Sequence, residues 1–220
     1  MTQTVTRYVK QLFAPLPEIV QRLGIVAGGA VRSFYDKTTL ADVDLCFRSS
    51  ADFDRAFVAM IEHPDYVFQE WKGRSAVFKH TGNGMEFNLI GFMHGDPVDT
   101  IARFDFRCCR MAAWFDADGG LRTLFGHGAV GDACTKTLVL MVNNGTSRTV
   151  KRINHYLVDY GYTLDVTLED HLEPEEANGL AEVQDDLAEA GGPYLDRARV
   201  PSTVSAYRYI SRLPRVCGGY

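Results

Sequence analysis

A chain of 220 residues, 46% apolar and 23% charged, has the composition of a globular protein with room for one sizeable core or a catalytic domain plus a small appendage. This excludes a disordered chain, and no apolar run reaches the roughly 18 residues that a membrane span needs. The net charge of −5 argues against wholesale electrostatic capture of nucleic acid but leaves room for a local basic face.

The N-terminal stretch MTQTVTRYVKQLF has neither a continuous apolar segment nor a small-residue cleavage site, so it is not read as a secretory signal, and a cytoplasmic protein is expected. Its Val9, Leu12 and Phe13 share a helical face, and Pro15 and Pro17 break that helix. Ile25 and Val26 then read as a short buried strand, Gly28 and Gly29 as a tight turn, and Ala30 to Tyr35 as the start of a helix. Glycine lets backbone N–H groups approach an anion without a Cβ in the way, and the following helix aims its unsatisfied N–H groups at the same place. Arg32 is a candidate to add charge there. Asp42 and Asp44 alternate with Val43, Leu45 and Phe47, which predicts a strand with both carboxylates on one face and the apolar residues on the other.

A Gly-Gly before a helix is commonly just a turn, and an Asp-x-Asp is commonly a solvated strand face. Together, with 12 residues between Gly29 and Asp42, they fit an arrangement in which the turn holds a triphosphate and the aspartates hold its Mg²⁺ ions. Farther on, Ser50 is an N-cap candidate for a helix that packs Phe53, Phe57, Met60 and Ile61 on the sheet. Tyr66–Glu70, Ser75–Lys79 and Met85–Phe92, with TGNG between the last two, predict a β-meander.

The runs GGAVRS and DVDL resemble the head domain of the tRNA nucleotidyltransferases (CCA-adding enzymes) and bacterial poly(A) polymerases, in the DNA polymerase β superfamily. Ser33 stands where that pattern has an aspartate. The resemblance implies a third carboxylate on a neighbouring strand, assigned to Glu86 in preference to Asp105, so the expected catalytic and metal set is Asp42, Asp44 and Glu86 with two Mg²⁺ ions. It also makes Arg103 and Asp105, in TIARFDFRCCRMAAWF, nucleotide-side residues along with Gly28, Gly29 and Arg32. Phe104 and Cys109 replace the family's second arginine and its asparagine. Read without the resemblance, Asp105 is an N-cap for a helix with Met111 and Trp114 in the core.

Leu138–Val142 reads as a buried strand and NNGTS as a linker, which divides the chain into a catalytic head, 1–143, and a helical neck-like region, 147–220. The helix after the linker carries Val150, Ile153, Tyr156 and Leu157 on one face and Arg148, Lys151 and Arg152 on another. Arg148 and Arg152 are candidate triphosphate or RNA contacts. An acidic run, Glu169 to Glu189, reads as a solvated face, and the tail is basic around Arg208, Arg212 and Arg215, with Tyr207 and Tyr209. The Glu-Asp-x-x-Arg motif by which CCA-adding enzymes choose C or A is not recognisable. Five cysteines without C-x-x-C spacing and six scattered histidines indicate reduced thiols and speak against zinc.

The expected fold is α/β (α+β), with a mixed sheet flanked by helices and a small helical region behind it. The expected reaction moves a nucleoside monophosphate from ATP or CTP to an RNA 3′ end, tRNA being the first choice. Transfer to a protein or small molecule and a non-catalytic nucleotide- or RNA-binding module are the alternatives.

Overall fold

A seven-stranded mixed sheet forms the backbone of the first part of the chain, and the computed structural model describes residues 4–142 and 146–165. The chain divides into two compact units, one ending at Thr135 and the next beginning at Lys136.

The first unit opens with α1 (Val5–Phe13) and α2 (Glu18–Leu23), parted at Pro15 and Pro17 as the prolines require. Thr4 caps α1 by accepting the Arg7 N–H. Then follow β1 (Gly24–Ala27), α3 (Gly29–Asp36), β2 (Asp42–Phe47) and α4 (Ser50–Glu62). The meander is β3 (Tyr66–Lys72), β4 (Ser75–His80) and β5 (Glu86–His94). After α5 (Pro97–Ala102) and a 3₁₀ turn at Arg107–Cys109 come β6 (Met111–Phe115), β7 (Leu121–Phe125) and α6 (Ala129–Thr135). The strand order is β3-β4-β5-β2-β1-β6-β7. Its ladders are antiparallel except β2 with β5, which run parallel.

Period-two alternation sorts the side chains. Val43, Leu45, Phe47, Phe87 and Leu89 are buried on the face covered by helices, where Phe13 of α1 meets Phe115 of β6 edge-on at 5.1 Å. The opposite face carries Asp42, Asp44 and Cys46 on β2, and its apolar part, Ile25, Ala27, Cys46 and Ala112, packs under Ile101 of α5. One face is therefore sealed, and the other is partly open beside the aspartates.

Several local expectations change. The N-cap of α4 is Ser49 rather than Ser50: its Oγ accepts the Asp52 N–H at 3.1 Å and donates to the Asp52 carboxylate at 2.9 Å. Ile61 is 50% exposed, because the buried stripe of α4 runs through Phe53, Ala56 and Met60. Met111 and Trp114 lie on a strand, not a helix, since β6 is paired on both sides, with β1 and β7, and ladder pairing outweighs the helix propensity of its alanines. Cys46, Cys108, Cys109 and Cys134 are free thiols, the first three buried.

In the second unit, β8 (Thr137–Leu138) pairs in parallel with β9 (Thr163–Leu164) around α7 (Thr146–Val158). The strand is shorter than the apolar run suggests, although Val139 and Leu140 are buried. Ile153, Tyr156 and Leu157 form the buried side of α7, and Tyr156 meets Tyr160 and Tyr162 edge-on. Lys136 donates to the Tyr160 carbonyl at 2.8 Å. The acidic run and the basic tail lie outside the described residues. Among the described residues no helix is long and apolar enough to cross a membrane.

Two features of the first unit yield stability predictions. Arg107 grips Asp132 of α6 with two hydrogen bonds, 2.6 and 2.7 Å, and the Asp132 side chain is 8% exposed. Arg107→Ala strands that carboxylate, so urea unfolding should show a loss of about 2–3 kcal/mol. Gly28 has φ +67°, and a Cβ there would lie 2.9 Å from Cε1 of Phe104. Gly28→Ala should therefore cost about 1–3 kcal/mol, and a double-mutant cycle with Phe104→Ala should show coupling of about 0.5 kcal/mol or more. Additive effects would mean that the ring yields without cost.

Candidate functional site

The parallel ladder between β2 and β5 builds the site, setting Asp42 opposite Glu86 and Asp44 opposite Asn88. All four project from the face opposite the main helix layer, and both aspartates are half-buried. Asn88 was not among the residues expected from sequence. It is buried, and its Nδ2 donates to Asp42 Oδ2 at 2.6 Å and to Asp44 Oδ1 at 3.1 Å. An asparagine two residues after Glu86 looks like an ordinary polar strand position until its ladder partner is known.

Glu86 shares this face, but its carboxylate is engaged by Lys72 of β3, at 3.4 Å, and Lys72 also lies 3.6 Å from Glu70. The Glu86 carboxylate holds the Lys72 ammonium pKa above its usual value. Among the described residues no three His, Cys, Asp or Glu side chains converge as a metal cluster. The Asn88 amide thus lies against the aspartate pair, and Glu86 stands opposite Asp42 on the same face with Lys72 against its carboxylate.

The glycine turn lies at the start of α3. The Gly28 N–H donates to the Met111 carbonyl at 2.9 Å, so this amide ties the turn to β6 instead of facing a ligand. Gly29 and Ala30 open the helix, at positions whose N–H groups have no acceptor within it, and space is open around the Gly29 Cα. Arg32 departs from expectation. Its side chain is 4% exposed and lies 3.0 Å from Asp36 one turn on, and Asp36 in turn accepts from the Thr38 N–H and hydroxyl. A buried guanidinium paired in this way braces α3 and is not presented to a phosphate in solvent. Ser33 donates to the Ala30 carbonyl at 2.9 Å and contacts the Tyr8 hydroxyl at 2.6 Å, so it serves packing between α1 and α3.

The segment after α5 completes the surroundings. Arg103 caps that helix, and its charge reaches Cys46, two residues beyond Asp44. Burial first, and the Asp44 charge second, push the Cys46 thiol pKa far up, while Arg103 pulls the other way. Asp105 is 1% exposed and accepts the Phe106 N–H at 3.0 Å. It is not an N-cap, since Phe106 holds that place at the 3₁₀ turn. Arg110 donates to the Ala102 and Phe104 carbonyls at 2.9 and 3.3 Å, so it and the buried Asp105 support the loop that carries Arg103. Arg148 is exposed and Arg152 half-buried on α7, within the second unit.

Two carboxylates tied to one amide, each with an oxygen outside that hydrogen bond, form a hard-oxygen donor set. This fits Mg²⁺, which binds through one or two carboxylates and takes other ligands from water and substrate phosphates.

Compared with solved structures, the chain resembles a Thermotoga maritima CCA-adding enzyme complexed with tRNA, with TM-score 0.55 and 16% identity over 84% of this chain and 45% of that one. It resembles a tRNA-processing enzyme in an apo form with TM-score 0.57 and 13% identity over 96% of this chain and 59% of that one. It also resembles a tRNA nucleotidyltransferase bound to a primer tRNA and an incoming ATP analog, with TM-score 0.52 and 15% identity over 99% and 63%. At these identities the likeness is one of fold, and the chain spans only 45% to 63% of their length. The head fold expected from GGAVRS and DVDL is therefore present. No curated protein matches. Family membership rests on another comparison, in which residues 2–127 match the Gad2 model, described as Gabija anti-defense 2 family protein. With that match running over more than half of the sequence and spanning the glycine turn, both aspartates and Asn88, the chain belongs to the Gabija anti-defense 2 family.

Proposed function

We propose that this protein is a Mg²⁺-dependent nucleotidyltransferase that takes a nucleoside monophosphate from ATP or CTP. The observation that carries the reading is the Asp42–Asp44 pair, held side by side on the open face of a nucleotidyltransferase-type sheet by the β2–β5 ladder. Asp42 and Asp44 would hold the ions, two in the full scheme, with Glu86 available to the second if it exchanges Lys72 for metal. When bound, Mg²⁺ would supply positive charge against the triphosphate oxygens. The Gly29 and Ala30 amides and Arg103 would receive the phosphates, because helix N-termini and guanidinium groups both favour anions. In the reaction an acceptor oxygen bonds to the α-phosphorus, the bond to pyrophosphate breaks, and the acceptor's proton passes to solvent. The protein's part is positioning and charge.

The first acceptor is an RNA 3′ end, as in the tRNA-bound structures of similar fold. Arg148, Lys151 and Arg152 are then candidate phosphate contacts, and a basic helix face is the kind of surface that guides a strand before chemistry. The family description supports a second reading, in which the acceptor is a protein or small molecule of the defence system that the family counters.

Incubation with α-labelled ATP or CTP and Mg²⁺, together with RNA, a protein lysate or no acceptor, tests both. Label in RNA supports the first reading and label in protein or a small molecule the second. No labelled product under any condition counts against nucleotidyl transfer. In the active assay, Asp42→Ala and Asp44→Ala should each lower the rate by about hundredfold or more without loss of fold; near-wild-type turnover in either variant would remove the carboxylate pair from the chemistry.

A further inference from the structure

Asn88 has no part in the reading just given, yet its setting is specific. In the sheet it stands between Val77 of β4 and Asp44 of β2, so its polar neighbour in the ladder is an aspartate on one side only. It is 9% exposed. Its Nδ2 meets one oxygen of each aspartate, and an amide NH₂ has two donors, so each carboxylate takes one. The amide cannot be turned round at equal cost, because Oδ1 would then face two carboxylates, three acceptors with no proton among them. In the orientation found, Oδ1 is buried with no hydrogen-bond partner. A valine or threonine, better suited to a strand, would avoid that cost. The amide therefore leaves an acceptor unsatisfied while directing both its donors at the aspartates.

We infer that Asn88 is a positioning residue for the cation held by Asp42 and Asp44. Resting on the proposed cation role of that pair, this placement of the amide has two consequences. The amide fixes one oxygen of each carboxylate and relieves part of their mutual repulsion, so the pair meets the ion in one arrangement. A neutral group at this point also keeps the centre at two negative charges rather than three. The ion is then held weakly by the protein alone, and more firmly once phosphate oxygens join its ligands.

Mn²⁺ binding to the full-length protein, followed by the electron paramagnetic resonance of free Mn²⁺, tests this without an activity assay. Asn88→Ala should weaken binding about tenfold, the lower end of what loss of an outer-shell partner costs. The nearly isosteric Asn88→Asp loses both donors but adds a third carboxylate, and the attraction of that charge for the ion outweighs the loss, so binding should tighten about tenfold. Opposite signs separate positioning from damaged packing, which would weaken both. Circular dichroism and thermal melting identify a variant that has not folded, and if Asn88→Ala does not fold, Asn88→Asp decides alone. Unchanged or weaker binding in folded Asn88→Asp, or unchanged binding in folded Asn88→Ala, overturns the inference while wild-type binding that Asp42→Ala abolishes keeps the cation reading intact. Wild-type protein that binds no Mn²⁺, with or without ATP, or binds it equally well as Asp42→Ala, overturns that reading and the inference together.

Discussion

The parallel pairing of β2 with β5 is the constraint on which the rest of the structure depends. In a sheet otherwise joined by antiparallel ladders, it brings the start of one strand beside the start of the other, so that Asp42 meets Glu86 and Asp44 meets Asn88. A shift of one residue would turn both aspartates toward the helix layer, where two carboxylates would be buried among Phe and Leu side chains. Val43, Leu45 and Phe47 prevent that shift, since each fills the core on the opposite face. The apolar half of β2 thereby specifies where its acidic half points.

The surrounding elements hold this face open and shaped. Phe104 packs against the glycine turn, Arg110 secures the loop behind Phe104, and the Gly28 amide ties the turn to β6. The charges nearest the turn divide into two kinds. Arg32 is paired inside α3 with Asp36, whereas the charge of Arg103 acts on Cys46, two residues beyond Asp44 on β2. A guanidinium next to glycines in sequence is thus buried in an ion pair, whereas one about seventy residues farther along acts on the strand that carries the aspartates.

Much of this was legible in the sequence because its signals were local. Asp42 and Asp44 revealed their shared face through alternation, Pro15 and Pro17 marked the break between helices, and the meander carried its own turn residues. What escaped depended on neighbours remote in the chain. Asn88 acquires meaning only once β5 lies beside β2, and Met111–Phe115 reads as helix until β1 and β7 are found on either side. Arg32 is an exception, since an aspartate one helical turn ahead was visible as an i, i+4 pair. What the sequence cannot express is that the pair is buried. Ser49 and Ser50 differ only in which hydroxyl reaches the Asp52 amide, a choice of one residue that propensity does not resolve.

The same ladder has a consequence for how the protein assembles. The β3–β4 and β4–β5 hairpins can close early because their partners are near in sequence, whereas the Asn88 contacts span 46 and 44 residues to Asp42 and Asp44. Loop-closure entropy delays pairing across such a span, and parallel pairing is slower still. During synthesis β2 therefore leaves the ribosome well before the strand that completes it. For that interval its two carboxylates remain in water, where their repulsion and hydration disfavour premature burial of the strand. One acidic face thus opposes early burial of a strand whose other face is wholly apolar.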